Sequence, residues 1–431
     1  MDTPETTCDL LVIGGGLSGM AAACFAAGQG LSTVQVGMGG QLGFASGLID
    51  LLGVSAPSGE EPVRNPWEAM GRLVEKEPGH PYARLSPRDI ETALSAVFSF
   101  LEENGYPHHH ESRKNLFLPT PAGTLKPTYA VPHTMAPCAE AVSRKAPALL
   151  IDFAGMKGFS ARQVAENLKE AWPDLRTVRL SFPESTGELY AESLARSLDV
   201  KNNRGKLADL IRPHLGGEKM LGVPAVLGVH RTLSAVRDLE EALGLTVFET
   251  PAMLPAVPGL RLREILEKEL SKKGAEIRHG QRVSEAKRAE NGDWLFTVLS
   301  GSGRYRFVSR TALLCTGRFF GKGLVGDRHG IRESLFGLPV SEPEGRMRWH
   351  SRNLFASEGH AVNRAGIMVD ADFRPVDADG IPVYPNLFAA GTILSGQDWA
   401  REKSGSGLSI ATAYGAVRGA GRCLGAGSFD S

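Results

Sequence analysis

Six residues, Gly14-Gly15-Gly16-Leu17-Ser18-Gly19, constrain this chain more than any other stretch of it. They stand between a continuous apolar run, Cys8 to Ile13 (CDLLVI), and an alanine-rich segment ending near Gly28. A short apolar run bounded by glycine suits a strand buried in the middle of a parallel sheet. Leu31 to Val36 (LSTVQV) returns as a second strand, so the opening predicts a βαβ unit. Within it Gly14 permits the tight turn, Gly16 lets backbone approach a pyrophosphate, and Gly19 allows close packing of helix on strand. The free N–H groups of the helix start then face the anion.

One part of this nucleotide fingerprint is missing. An acidic residue about 20 positions on should hold a ribose diol, yet nothing between Gly19 and Asp50 is Asp or Glu. Gln35 is the available substitute. With the adenosine anchor gone, a smaller flavin such as FMN, or an atypically held FAD, becomes the expected ligand.

The rest of the chain predicts an α/β fold in which a Rossmann-like, FAD/NAD(P)-binding type of domain is assembled from discontinuous segments. Residues 1–59 form its first part and 251–431 the remainder, with a second α/β domain inserted at 60–250. A region rich in proline between Pro57 and Pro147, with a helix around Arg88 to Asn104, reads as part of the insertion. Ala148 to Phe153 (ALLIDF) reads as a strand, followed by a helix from Ser160 to Ala171. Met220 to Val229 adds a parallel neighbour, with helices at Ser234 to Leu243 and Leu260 to Lys273. Ile277 to Arg288, Trp294 to Leu299 and Tyr305 to Val308 suggest an antiparallel meander, and Thr311 to Cys315 a further strand.

Composition removes several function classes. The 431 residues carry 48 basic and 48 acidic side chains, so charge-driven binding to nucleic acid is not expected. Five cysteines lie scattered without C-x-x-C spacing, which speaks against disulfides, zinc or an iron–sulfur cluster and for a reducing, cytoplasmic setting. Acids precede the first apolar run, unlike a secretion signal. No apolar stretch approaches the roughly 18 residues of a membrane span. A metal site is not expected: His108-His109-His110 reads as a polar surface turn. Cys315 reads as a packed thiol.

Two later segments favour a flavoprotein. Ala312 to Gly317 (ALLCTG) follows the meander, and Asn386 to Gly391 (NLFAAG) precedes a helix of small residues from about Gly407 to Gly421, the order of closing strands in two-dinucleotide-type flavoproteins. Thr392 stands where an Asp often holds the ribityl chain. Ser404-Gly405-Ser406-Gly407 sets a helix start that can face the pyrimidine end of a flavin, or serve as a cap and packing site only. Phe44 to Asp50 (FASGLID) offers Ser46 and Gly47 as backbone donors, or a turn. The cofactor-side candidates are therefore Gly14, Gly16, Gly19, Ser46, Gly47, Gly317, Gly391, Thr392, Ser406 and Gly407.

With these pieces the chain resembles the B subunit family of anaerobic glycerol-3-phosphate dehydrogenase. The resemblance runs through LLVIGGGLSGM, FASGLIDLL, ALLCTGRFFGKGLVGDRHGIRESLFGLPV (Ala312 to Val340) and NLFAAGTILSG. It implies FMN and oxidation of glycerol 3-phosphate to dihydroxyacetone phosphate, with electrons passed to a quinone. It further implies pairing with a catalytic flavoprotein partner, an iron–sulfur partner that docks on the membrane, and peripheral placement on the inner face of the cell membrane. In the third block Arg318, Lys322, Arg328, His329 and Arg332 gather four permanent cations and a histidine among glycines, which suits a phosphate-bearing ligand. His329 is the candidate base and Arg332 the candidate anchor. The alternatives are a solvated loop neutralised by Asp327 and Glu333, or a face toward a partner subunit. Two further readings stand beside the favoured one: a stand-alone flavin oxidoreductase acting on another small acid, and a structural partner whose nucleotide fold is empty.

Overall fold

The computed structural model describes residues 5–55, 61–182 and 187–425. In chain order its principal elements are β1 (Glu5–Ile13), α1 (Leu17–Gly28), β2 (Thr33–Gly37), α2 (Pro66–Lys76), α3 (Pro87–Glu103), β3 (Ala148–Phe153), β4 (Leu175–Leu180), β5 (Met220–Pro224), α4 (Thr232–Leu243), β6 (Thr246–Thr250), α5 (Val257–Lys272), β7 (Glu276–His279), β8 (Arg282–Arg288), β9 (Trp294–Ser300), β10 (Gly303–Leu314), β11 (Leu387–Ala389) and α6 (Gly405–Leu424). They form two compact units.

The first unit takes the chain up to Leu42, Asp50–Phe100, and everything from Leu266 on. Its sheet runs β7-β2-β1-β10-β9-β8, with β11 added beside β10. Strands β7, β2, β1 and β10 are mutually parallel, as an apolar run such as Leu10-Leu11-Val12 requires when both faces are covered. The long β10 serves two partners on one edge. Gly303 to Ser309 pairs antiparallel with β9, and Ala312 to Leu314 pairs parallel with β11. Helices α1 and α6 are rich in alanine and glycine, which lets them approach closely; the ring of Phe25 meets Tyr414 edge-on at 5.5 Å.

Two strand expectations change here. Ile277 to Arg288 is not one meander strand: it breaks at Gly280, β7 lying parallel to β2 and β8 antiparallel to β9. Tyr305 to Val308 and Thr311 to Leu314 instead belong to one continuous strand, because Ser309 and Thr311 are buried with their hydroxyls satisfied, Ser309 Oγ donating to Thr311 O and Thr311 Oγ1 to Asp9 O on the neighbouring β1.

The second unit comprises Gly43–Ile49 and Leu101–Ile265. Four parallel strands in the order β6-β5-β3-β4 form its sheet, over a core that includes Phe153, Trp172 and Phe248. The expected strand at Met220 to Val229 ends at Pro224, which has no N–H to continue a ladder. The expected helix from Ser160 keeps its cap, Ser160 Oγ accepting from Gln163 N, but ends at Asn167. His108-His109-His110 is a short strand paired with Ala130–Pro132, not a turn. Inside this unit Glu249 and Arg261, both fully buried, make a two-pronged ion pair at 2.7 Å, with Thr134 donating a third bond to Glu249.

The sequence placed the domain boundaries at 59/60 and 250/251; the compact units change over after Leu42, Ile49, Phe100 and Ile265. Residues 61–100 lie with the first unit. Glu77 after α2 pairs with Arg364, and Asp89 of α3 pairs with Arg418.

Candidate functional site

Because β1 pairs with β10 and β10 with β11, their carboxyl ends lie side by side, the edge where open α/β sheets bind ligands. Gly14 follows β1 with φ of 134°, which side chains rarely adopt, and a Cβ there would overlap the Cys315 carbonyl oxygen. A Cβ on Gly19 would overlap Gly14 O. Packing therefore dictates both glycines. Gly16 differs: it precedes α1, a Cβ there would meet nothing within 4 Å, and no side chain caps the helix. An uncapped helix start opening on free space fits a pyrophosphate.

Gln35 does not replace the ribose acid. It is fully buried, and its Nε2 donates to Gly14 O at 2.8 Å, bracing the glycine turn from below. At Gly37, the end of β2, a Cβ would overlap Gly15 N. An acidic side chain at that position has no room.

Just past the neighbouring strands β10 and β11, a Cβ on Gly317 would lie 3.4 Å from Thr392 Oγ1, and one on Gly391 would lie 2.7 Å from Ser18. Gly391 N donates to Thr412 Oγ1 of α6 at 2.9 Å. Gly14, Gly16, Gly19, Gly317, Gly391 and Thr392 thus form one group at the start of α1. Thr316 Oγ1, between Cys315 and Gly317, is buried without a hydrogen-bond partner, a polar atom available to a ligand. Ser18 Oγ donates to Cys315 Sγ at 3.3 Å, and burial pushes that thiol up to about 12, consistent with packing rather than nucleophilic chemistry.

Ser406 and Gly407 are engaged by the chain itself. Asp50 N donates to Ser406 Oγ at 2.6 Å, and Gly407 N donates to Asp50 O at 2.8 Å. The first turn of α6 is stitched to the end of the FASGLID segment, so that N–H does not point at a ligand. Ser46 and Gly47 belong to the second unit; Ser46 Oγ accepts from Leu48 N, and His108 Nε2 lies 2.9 Å from Gly47 O.

The sequence reading missed a buried polar network beside this cluster. Arg318 was grouped with the cations that suit a phosphate-bearing ligand, yet its guanidinium is taken up by the chain's own carbonyls, Nε donating to Thr392 O at 2.7 Å and Nη2 to Gln397 O at 2.6 Å. Burial pulls its pKa down to about 10. Nearby, His80 Nε2 lies 3.4 Å from Glu402 Oε2, both side chains fully buried. Tyr82 N donates to His80 Nδ1, which leaves the ring proton on Nε2 facing Glu402. Burial alone would raise the Glu402 carboxyl, but His80, Asp398 N and Ser404 Oγ hold it below its ordinary value. Nothing in the residue spacing separates Arg318 from Lys322 or Arg328. The pattern Asp398-x-x-x-Glu402 was the one readable hint.

His329 and Arg332 stand exposed on a hairpin formed by Leu324–Gly326 and Ile331–Glu333. His329 N donates to Asp327 Oδ1, Arg328 Nε donates to His329 Nε2 at 2.8 Å, and Arg332 lies 3.9 Å from Asp327. These contacts stay within the hairpin, and none is with the glycine cluster. Among the described residues no group of three or more His, Cys, Asp or Glu is placed to hold a metal ion.

A family model described as an FAD binding domain matches residues 9–408. The chain therefore belongs to the FAD-binding flavoproteins. The B subunit of anaerobic glycerol-3-phosphate dehydrogenase from Vibrio vulnificus is 30% identical over 423 residues, covering 95% of each chain. The probable B subunit of the same dehydrogenase from Halobacterium salinarum is 34% identical over 426 residues, 95% of this chain and 96% of the relative. Within the flavoproteins the chain belongs to the family of that B subunit. Among solved structures, 3-ketosteroid delta1-dehydrogenase from Sterolibacterium denitrificans aligns over 98% of this chain and 100% of its own at 12% identity, with a TM-score of 0.41.

Proposed function

We propose that this chain is the flavin-bearing subunit of a multi-subunit dehydrogenase that oxidises sn-glycerol 3-phosphate to dihydroxyacetone phosphate and passes the electrons toward a quinone. The observation that carries this reading is the likeness of nearly the whole chain, 34% identical over 426 residues, to a relative with that dehydrogenase in its name. A flavin, when bound, supplies a two-electron acceptor for the hydride of a secondary alcohol. The start of α1 and the backbone around Gly16 would hold its phosphates, while Gly317, Gly391 and Thr392 would line the neighbouring edge of the sheet. The family description supports FAD, and the preference for FMN that rested on the missing ribose acid yields to it.

The free cysteines Cys8, Cys138 and Cys315 are buried with thiols raised by burial, and none of the five pairs with another. Electrons would therefore leave through a companion subunit. Among the described residues no helix is long and apolar enough to cross a membrane, which suits attachment through that companion. For the substrate we propose His329 as base and Arg332 as anchor, supported by the cations Arg328 and Arg332 on one hairpin.

The test is the visible spectrum of the purified protein, with mass spectrometry of the released cofactor. Flavin bands and a mass matching FAD support the reading; protein that stays colourless and takes up neither FAD nor FMN overturns it. In the assembled enzyme, Arg332→Ala should raise KM for glycerol 3-phosphate about tenfold with kcat little changed. An unaltered KM reassigns the anchor.

A further inference from the structure

The segment Arg346 to Phe355 (RMRWHSRNLF) carries three arginines and no acid, in a chain whose charges balance over its whole length. It also displays side chains that a free surface does not favour: Met347 is 94% exposed, Leu354 75% and Phe355 88%. The backbone beneath them is fixed. Arg348 N and Trp349 N close a turn on Gly345 O and Arg346 O, Val362 N donates to Trp349 O, and Ser351 N donates to His360 Nδ1, whose Nε2 lies 3.1 Å from Leu354 O. Trp349 is buried, with Arg346 over its ring at 5.6 Å and Gly326 against it. Arg346 also reaches Asp327 O at 3.4 Å, and a Cβ on Gly326 would lie 3.8 Å from the exposed Phe319. The surface is therefore continuous with the hairpin singled out in the sequence.

We infer that this face is the docking surface for a companion subunit of the same assembly, one that presents an apolar groove rimmed by carboxylates. The inference rests on the multi-subunit reading above. Exposed Met, Phe and Leu among arginines is the composition of protein interfaces, where Arg and aromatic residues are enriched and Lys is depleted. All the permanent cations from 326 to 355 are Arg. Arg348 lies 3.5 Å from Glu344, both well exposed, a pair that water screens and a partner's carboxylate can replace. A lipid surface fits less well. The one tryptophan of the segment, the side chain suited to the headgroup layer, is buried, and the segment is a braced turn rather than an amphipathic helix. A rigid platform loses little freedom when a partner covers it.

The experiment co-expresses the full chain with the companion subunits of the assembly and follows the complex by size-exclusion chromatography and flavin absorbance. The triple variant Met347→Glu, Leu354→Glu, Phe355→Glu should elute apart from the companions while keeping wild-type flavin absorbance and Tm. Arg348→Glu with Arg352→Glu should weaken association at least tenfold and flatten its dependence on salt. A triple variant that co-elutes like wild type overturns the docking face while leaving the multi-subunit reading intact. A wild-type chain that elutes alone overturns both. Binding of the isolated chain to phosphatidylglycerol vesicles, lost in the triple variant while the complex persists, reassigns the face to lipid and overturns the inference.

Discussion

At the scale of single residues the glycines separate by what surrounds them. Gly19→Ala forces a methyl group into Gly14 O and should cost about 1–3 kcal/mol, read as a lower urea midpoint. Gly16→Ala meets only open space, so Tm should hold while the flavin Kd rises about tenfold. If both variants lose stability alike, Gly16 is structural after all. Arg318→Met removes two charge-assisted bonds to the Thr392 and Gln397 carbonyls and should cost about 2–3 kcal/mol, with flavin retention falling alongside. Glu402 adds a pH signature. Its carboxyl is held below the ordinary 4.5 in the folded chain, so the stability it contributes is complete above that pH and is lost as pH falls through its lower folded value. Glu402→Gln should flatten the acid limb of a stability-against-pH curve.

Among the elements, local pattern predicted best where a run was apolar and bounded. Ala148 to Phe153 is a strand to the residue, and the helix expected from Arg88 spans Pro87–Glu103. The strand-turn-helix around Gly14 was legible for the same reason: its chemistry is local. What escaped was set by distant partners. Nothing inside Ile277 to Arg288 shows that its first part joins β2 and its last part β9, because pairing is decided by strands far off in sequence. Arg318 and Gln35 were legible as polar residues but not as buried ones, since their acceptors lie on other loops or on the glycine turn. Ser406 and Gly407 were read as a helix start facing a flavin, or as a cap, from local residue types alone, and the Asp50 backbone that engages them lies 356 residues before Ser406.

Across the whole molecule, the apportioning of residues 61–100 was hidden by texture: proline-rich sequence resembled an insertion, yet Glu77 and Asp89 anchor it to Arg364 and Arg418 of the first unit. The second unit has its own buried anchor. Glu249→Ala would leave Arg261 charged and unpaired in a dry interior, and should cost about 3–5 kcal/mol in equilibrium unfolding, whereas a loss below about 1 kcal/mol would mean that water reaches the pair.

The pairing of β1 with β10 also sets a timetable for synthesis. Cys8 hydrogen-bonds to Ser309, 301 residues later. At about 5–20 residues per second a ribosome needs roughly 15–60 s to supply that partner. The second unit is made within that interval and is complete once Ile265 has been added, while the edge of β1 that β10 will cover still waits unpaired. Nascent chains arrested before residue 314 should accordingly bind holdase chaperones through the βαβ unit of β1, α1 and β2, and release should come only once β10 has left the tunnel.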